Sequence, residues 1–324
     1  MTTASRLDAA PLRPSAAAPV AARAVGLRKV FGRTVAVDGI DLEVPAGSVL
    51  GMLGPNGSGK TTLIRMLLGL TRPTAGTAEL LGHPIPEESA QALPQVGALV
   101  EGPGFHPFLS GRENLRRVAA AEPLLGSGQI RGAVDAALER VGLADAADRR
   151  FRAYSLGMKQ RLGLAAALLL PRALVVLDEP TNGLDPAGTR DVRRIIAELH
   201  SGGATVIVSS HLLAEVEATC THVAVLQAGS LVAAGELGSL LQAGTGGLLI
   251  ATPDVDLALR TLRGAGATAY RAQGDEQAVV VDDGALPAPE VIALLVRAGV
   301  AVHEARRDRA KLEELFARLT EEPA

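Results

Sequence analysis

The run Gly54-Pro55-Asn56-Gly57-Ser58-Gly59-Lys60-Thr61-Thr62 has the residue types and spacing to hold a polyphosphate. Gly54, Gly57 and Gly59 let a backbone turn tightly and aim its N–H groups inward, with no Cβ in the way. Lys60 would reach the β- and γ-phosphates as a point charge, and the Thr61 hydroxyl would ligate Mg2+. Such a loop works only between a strand that delivers it and a helix that leaves it. Val49–Leu53 is an apolar run that reads as a buried strand, and Leu63–Leu68 has helical spacing. A helix starting near Gly59-Lys60 places about half a positive charge behind the phosphates. These elements imply a site for a nucleoside triphosphate.

A second group of residues suits the chemistry of such a substrate. Ala173–Leu177 is continuously apolar, as in a parallel sheet covered on both faces, and it ends in Asp178-Glu179. There Asp178 would hold the shell of a magnesium ion while Glu179 orients and deprotonates a water. Asn182–Pro186 reads as a turn, about 187–200 as a helix, and Thr205–Ser209 as a strand ending at Ser210-His211. The carboxyl ends of parallel strands are where ligands gather in open α/β sheets. Tyr154–Arg161 leads into a helix expected over Leu162–Leu170. Taken alone, its Ser155 suits either a second contact to phosphate or an ordinary helix N-cap. Phe31, ahead of a hairpin, suits either an adenine-stacking platform or the core. Ser110 and Glu113 have the spacing of a capping box.

The rest of the chain sets limits. Aromatic residues are only 2% of 324, so the core must be built from Ala, Leu and Val. A net charge of −3 gives no electrostatic case for nucleic acid as a partner. The single cysteine, Cys220, forms no internal disulfide and reads as a small core residue, which suits a reducing cytoplasm. The most apolar run, Leu162–Leu170, is too short to cross about 30 Å of hydrocarbon. Asp8, Pro11 and Pro14 interrupt any signal-peptide segment, and residues 1–22 read as a disordered extension. Residues 23–240 are expected to form one domain, with a helical part over about 105–170, and 246–324 a second. In that tail the spacing predicts strands at Leu248–Ala251, 267–271, Ala278–Val281 and 300–304, helices at 255–263 and 289–297, and a last helix at about 309–319. The order βαββαβ is ferredoxin-like. It carries no catalytic constellation and reads as a packing or dimer-contact module, with a regulatory or ligand-binding role as the alternative.

In their order and spacing the motifs over about residues 24–237 resemble the ATP-binding subunit of an ABC transporter. Phe31 matches the aromatic that stacks on adenine, Gly54–Thr62 Walker A, and Glu101 stands at the Q-loop position. Tyr154–Met158 stands at the signature motif, and Leu174–Asp178 matches Walker B, followed by the catalytic Glu179. Asn182–Asp185 matches the D-loop and His211 the switch histidine. Two departures stand out: Glu101 replaces the usual Gln, and Tyr-Ser-Leu-Gly-Met replaces Leu-Ser-Gly-Gly-Gln. With Gly102–Pro107 and Tyr154–Arg161, these look like the bacitracin-resistance and lantibiotic-immunity branch of exporters.

The resemblance implies an α/β fold: a P-loop NTPase with a parallel-sheet core, an antiparallel β subdomain and a helical subdomain. It implies ATP and Mg2+ as ligands, with Thr61, Asp178 and Glu101 near the metal and Glu179, His211 and Glu101 in catalysis. Two copies would pair head to tail, so that Ser155, Gly157 and Asp185 of one meet the nucleotide held by the other. A separate transmembrane permease would hold the pair at the cytoplasmic face of the membrane, and the cargo would be a peptide antibiotic, drug or lipid-like compound. Soluble relatives that act on ribosomes or DNA usually carry two ATP-binding halves or a long coiled-coil insertion, and this chain has neither.

Overall fold

The computed structural model describes residues 19–100, 104–243, 247–272, 275, 277–282 and 286–307. The chain divides into two compact units, the first ending at Glu236 and the second starting at Leu237.

The first unit opens with a hairpin. β1 (Val20–Phe31) and β2 (Thr34–Pro45) run antiparallel from Phe31↔Thr34 back to Val20↔Pro45. Val20–Ala22, expected in the disordered extension, therefore belongs to a strand. Ala22 faces Val44 on one side and Leu80 on the other, and it is buried between them. β3 (Val49–Leu53) is buried along its whole length and delivers the chain to Gly54. α1 (Lys60–Leu67) follows, with Leu63, Ile64, Met66 and Leu67 in the core. β4 (Ala75–Leu80) pairs with β1, and β5 (His83–Ile85) pairs with β4, giving an antiparallel sheet of order β2-β1-β4-β5. A short α2 (Ser89–Ala92) leads to β6 (Val96–Leu99).

Next come three helices that pack on one another: α3 (Gly111–Ala120), α4 (Ile130–Arg140) and α5 (Leu156–Ala167). The capping box at α3 is formed as expected, with Ser110 and Glu113 bonding each other's backbone N–H. α5 starts six residues before the expected Leu162. Ser155 Oγ accepts the Met158 N–H at 3.2 Å and caps the helix, and Met158, Lys159, Gln160 and Arg161 are good helix formers.

β7 (Leu174–Leu177), α6 (Pro186–Ser201), β8 (Thr205–Ser210), α7 (Leu213–Thr219), β9 (His222–Gln227) and β10 (Ser230–Glu236) complete the unit. The second sheet has the order β10-β9-β3-β8-β7-β6 and is parallel except for the edge strand β10. β3, β7 and β8 lie inside it and are buried on both faces, which explains their continuous apolar or small-residue runs. One core cluster joins α1 to both sheets through residues such as Leu27, Leu80, Met52 and Ile207.

The second unit contains α8 (Leu237–Ala243), β11 (Leu248–Ala251), α9 (Val255–Gly264), β12 (Ala269–Arg271), β13 (Ala278–Val281), α10 (Ala288–Arg297) and β14 (Glu304–Arg307). Its strands are antiparallel in the order β12-β13-β11-β14, the ferredoxin-like arrangement. The last strand starts at Glu304, later than the expected 300–304, because Val300 closes α10 instead. Gly299 takes φ 79°, its N–H bonds Val296 O, and the Val300 N–H bonds Leu295 O at 3.0 Å. This is a Schellman cap, with Val300 buried against the helices. The helix expected at 309–319 lies outside the described residues. Among those described, no helix is long and apolar enough to cross a membrane.

Candidate active site

The phosphate-binding loop leaves the buried end of β3. Gly59 caps α1 at φ 103°, and a Cβ there would stand 2.5 Å from the Ala36 carbonyl oxygen, so only glycine fits. Gly57 has φ 82° and open space on its Cβ side, which leaves its backbone approachable. Pro55, Asn56 and Gly57 are exposed, and Thr61 and Thr62 are half-buried at the first turn of α1. Ser58 Oγ is buried without a hydrogen-bond partner in the protein. Lys60 is also buried. Its Nζ donates to the carbonyl oxygens of Gly54 (2.7 Å) and Pro55 (3.2 Å). A buried cation in a glycine-rich loop at a helix N-terminus is a cradle for an anion.

Asp178 and Glu179 follow β7 directly. The Asp178 N–H donates to Leu99 O at 2.8 Å, and Asp178 Oδ1 accepts the Ser209 hydroxyl at 2.5 Å. Glu179 adopts φ 48°, in the left-handed region, which costs a non-glycine residue about 1–2 kcal/mol. Three hydrogen bonds hold it there. Its N–H donates to Ser209 Oγ at 2.8 Å, and its carbonyl accepts from the Asn182 N–H (3.1 Å) and from Gln160 Nε2 (3.3 Å). Its carboxylate then joins two other groups: Oε2 lies 2.8 Å from His211 Nδ1, and Oε1 lies 3.6 Å from Lys60 Nζ. The structure thus brings Lys60, Asp178, Glu179 and His211 together from three different strand ends. A backbone strained and over-determined in this way is characteristic of functional sites.

The remaining expected residues form a second group. Ser155 caps α5, and Asp185 caps α6 by accepting the Gly188 N–H at 2.7 Å. Gly157 lies beside Leu184, and Leu156 lies against Gly183, where a Cβ would stand 2.5 Å from Leu156 Cδ2. Leu156 is nonetheless 63% exposed, so the departure at this position presents an apolar side chain to the surface. Gln160, on α5, links this group to the Glu179 carbonyl. Phe31 is 50% exposed with Lys29 Nζ 4.8 Å above its ring, so it is not a core residue. Glu101 lies outside the described residues. Among those described, no three His, Cys, Asp or Glu side chains converge as a metal cluster. A cation here would rely on Asp178, a hydroxyl and substrate oxygens, the kind of sparse protein shell that Mg2+ accepts.

Two residues of the first group escape the sequence reading. Ser209 holds both carboxylate-bearing residues in place, and Gln160 supports the strained carbonyl. Ser209 had a signal, since a hydroxyl at the end of an apolar inner strand needs a polar partner. Gln160 had none.

Comparison with known proteins agrees with this geometry. The ABC transporter family profile matches residues 37–182. An uncharacterized ABC transporter ATP-binding protein of Bacillus subtilis is 38% identical over 296 residues, covering 91% of this chain and 94% of that protein. The daunorubicin resistance ATP-binding protein of Streptomyces coeruleorubidus is 36% identical over 304 residues, 91% of this chain and 94% of its own. The bacitracin transport ATP-binding protein of Enterococcus faecalis is 44% identical over 207 residues, which are 64% of this chain and 66% of that one. A solved ATP-binding subunit of an ABC transporter superposes with TM-score 0.63 at 26% identity, over 68% of this chain and 92% of that chain. With nearly the full length of a 38% identical relative covered, the chain belongs to the ABC transporter family, as an ATP-binding and ATP-hydrolysing subunit.

Proposed function

We propose that this subunit powers export of a peptide antibiotic, drug or lipid-like compound through a separate membrane permease. The observation that supports this most is the extent of the match to the daunorubicin resistance protein, which runs through both units of the chain. The bacitracin transport and Nod factor export relatives, matched over 64% and 68% of the chain, point the same way.

Each site residue then has a role. The backbone of Gly54–Gly59 and the Lys60 ammonium bind the β- and γ-phosphates of ATP, and Phe31 stacks on the adenine. Thr61 and Asp178, with Glu101, hold Mg2+, which supplies charge neutralisation on the phosphate oxygens. Glu179 takes a proton from the attacking water, whose oxygen bonds to the γ-phosphorus as the bond to the β–γ bridging oxygen breaks. ADP and inorganic phosphate are the products. His211 holds the Glu179 carboxylate in position for that proton transfer. Proteins of this family dimerise and pair with a permease. In this chain Ser155, Gly157 and Asp185 face the nucleotide of a second copy, and the helices of about 105–170 contact the permease at the cytoplasmic face of the membrane.

The test is a pull-down of the tagged chain from detergent-solubilised membranes, with ATPase assayed on the eluate. A co-eluting multi-span protein that raises ATPase activity is expected, and Glu179→Gln should abolish turnover in the same complex while ATP still binds. Elution with ribosomes or nucleic acid, or as a partnerless soluble ATPase, would refute the export reading.

A further inference from the structure

β8 ends in two serines, and successive strand residues point to opposite faces. Ser209 faces Asp178 and Glu179. Ser210 turns the other way. Its hydroxyl donates to Glu215 Oε2 at 3.1 Å and accepts the Leu212 N–H at 3.0 Å. The Thr181 hydroxyl donates to the same Glu215 Oε2 at 2.7 Å. Glu215 lies in the first turn of α7. Thr181 is two residues beyond Glu179, and Ser210 immediately precedes His211. One carboxylate oxygen therefore ties the turn leaving Glu179 to the turn carrying His211. With Arg193 of α6, these three residues line a cavity of about 20 Å³.

We propose that Glu215 is a positioning residue for ATP hydrolysis, fixing the Glu179–His211 pair through the two turns behind it. This rests on the ATPase activity and not on the export reading. Glu179 and His211 follow different strands, and their direct link is one 2.8 Å contact between side chains that are 22% and 40% exposed. An exposed pair of this kind holds neither backbone in place. The bonds from Thr181 and Ser210 act closer to the backbone: each hydroxyl sits within two residues of the group it restrains, and both donate to one carboxylate oxygen. Among the described residues the Glu215 carboxylate bonds Thr181 and Ser210, not the phosphate loop or the carboxylates of Asp178 and Glu179. Its loss should therefore misplace the base without weakening nucleotide binding.

The experiment measures steady-state ATP hydrolysis by the full chain carrying Glu215→Ala, Glu215→Gln, Thr181→Val or Thr181→Ser. In Glu215→Ala, kcat should fall by about tenfold to a hundredfold, the cost of a small misplacement of a catalytic group, with KM for ATP within about twofold of wild type. Glu215→Gln keeps an acceptor oxygen at the same place and should restore kcat to within about threefold. Thr181→Val should lose activity and Thr181→Ser should regain it. Because Thr181 and Glu215 share one bond, their effects should be strongly non-additive when Thr181→Val and Glu215→Ala are combined. The proposal is overturned if Glu215→Ala keeps kcat within about twofold, or if KM rises in step with the loss, in contrast to the KM-neutral loss expected of a misplaced base. It is equally overturned if Thr181→Val is as active as wild type. That variant leaves the carboxylate and its Ser210 bond intact, so it decides the matter even where Glu215→Ala does not fold.

Discussion

Replacing Ser209 with Ala removes a side chain that bonds both Asp178 and Glu179. Ser209 is fully buried, and its Oγ donates to Asp178 Oδ1 at 2.5 Å while accepting the Glu179 N–H at 2.8 Å. A hydrogen bond to a charged group contributes about 1.5–3 kcal/mol, and a buried donor left unsatisfied costs about 1–3 kcal/mol. Partial relaxation of Glu179 out of its left-handed backbone returns part of that, so the net loss should be about 3 kcal/mol. For a unit of this size, 1 kcal/mol corresponds to about 2–4 °C, which places the melting transition of the first unit about 6–12 °C lower. Calorimetry of the full chain measures this. Ser201→Ala is the control, because the Ser201 hydroxyl bonds only the exposed Glu198 carbonyl at a helix end. The same Ser209 variant should lose about a hundredfold in kcat, since both carboxylates are freed relative to Lys60. Binding of a fluorescent ATP analogue should change little, because the Lys60 bonds to Gly54 and Pro55 are untouched. A melting shift no larger than that of Ser201→Ala, together with unchanged kcat, would refute the reasoning.

Two further outcomes follow from titrating groups. Burial, with the Glu215 charge adding to it, pushes the Cys220 thiol up to about 12. At pH 8 only on the order of one thiol in ten thousand is ionised, so alkylation of the native chain should be very slow and should become fast on denaturation; equal rates would contradict the burial. The Ser110 backbone N–H, followed by its hydroxyl, holds the Glu113 carboxyl below its ordinary value of 4.5. A lowered folded pKa stabilises above the unfolded value and loses that stabilisation as pH falls through the folded one. Wild type should therefore melt above Glu113→Gln at pH 7, and the gap should close as pH falls below 4.5. A gap independent of pH would assign the effect to packing.

What could be read in the sequence was whatever depends on local chemistry. The phosphate-binding loop is legible because glycine and lysine at fixed spacing have few other uses between a buried strand and a helix. Inner strands such as β3 and β7 are legible because burial on both faces demands unbroken apolar runs. What was hidden depends on distant partners. Val20–Ala22 looks like the end of an Ala- and Pro-rich arm, yet Pro45, Val44 and Leu80 complete its ladder from elsewhere in the chain. The start of α5 was masked because Ser155-Leu-Gly-Met lacks the apolar period of the residues after it, and the cap alone decides the boundary. Val300 has a strand former's side chain but serves as the apolar residue of a helix cap.

The order Asp178-Glu179 is legible as a pair of site carboxylates, but the backbone that lets both serve one site is not. In a continuing strand, neighbouring side chains alternate faces, and two consecutive carboxylates would not serve one site. The left-handed backbone at Glu179 stops the alternation at that residue. Asp178 stays at the strand end, bonded to Ser209, while the Glu179 carboxylate swings to Lys60 and His211. A glycine would take this φ without strain but would bring no base. The chain therefore keeps a glutamate in an unfavourable conformation and surrounds it with bonds from Ser209, Asn182 and Gln160. These three residues come from β8, the following turn and α5, so the conformation exists only once the parallel sheet and the helical subdomain have both formed. That dependence ties the catalytic base to the position of α5, the helix whose N-terminus carries Ser155 and Gly157.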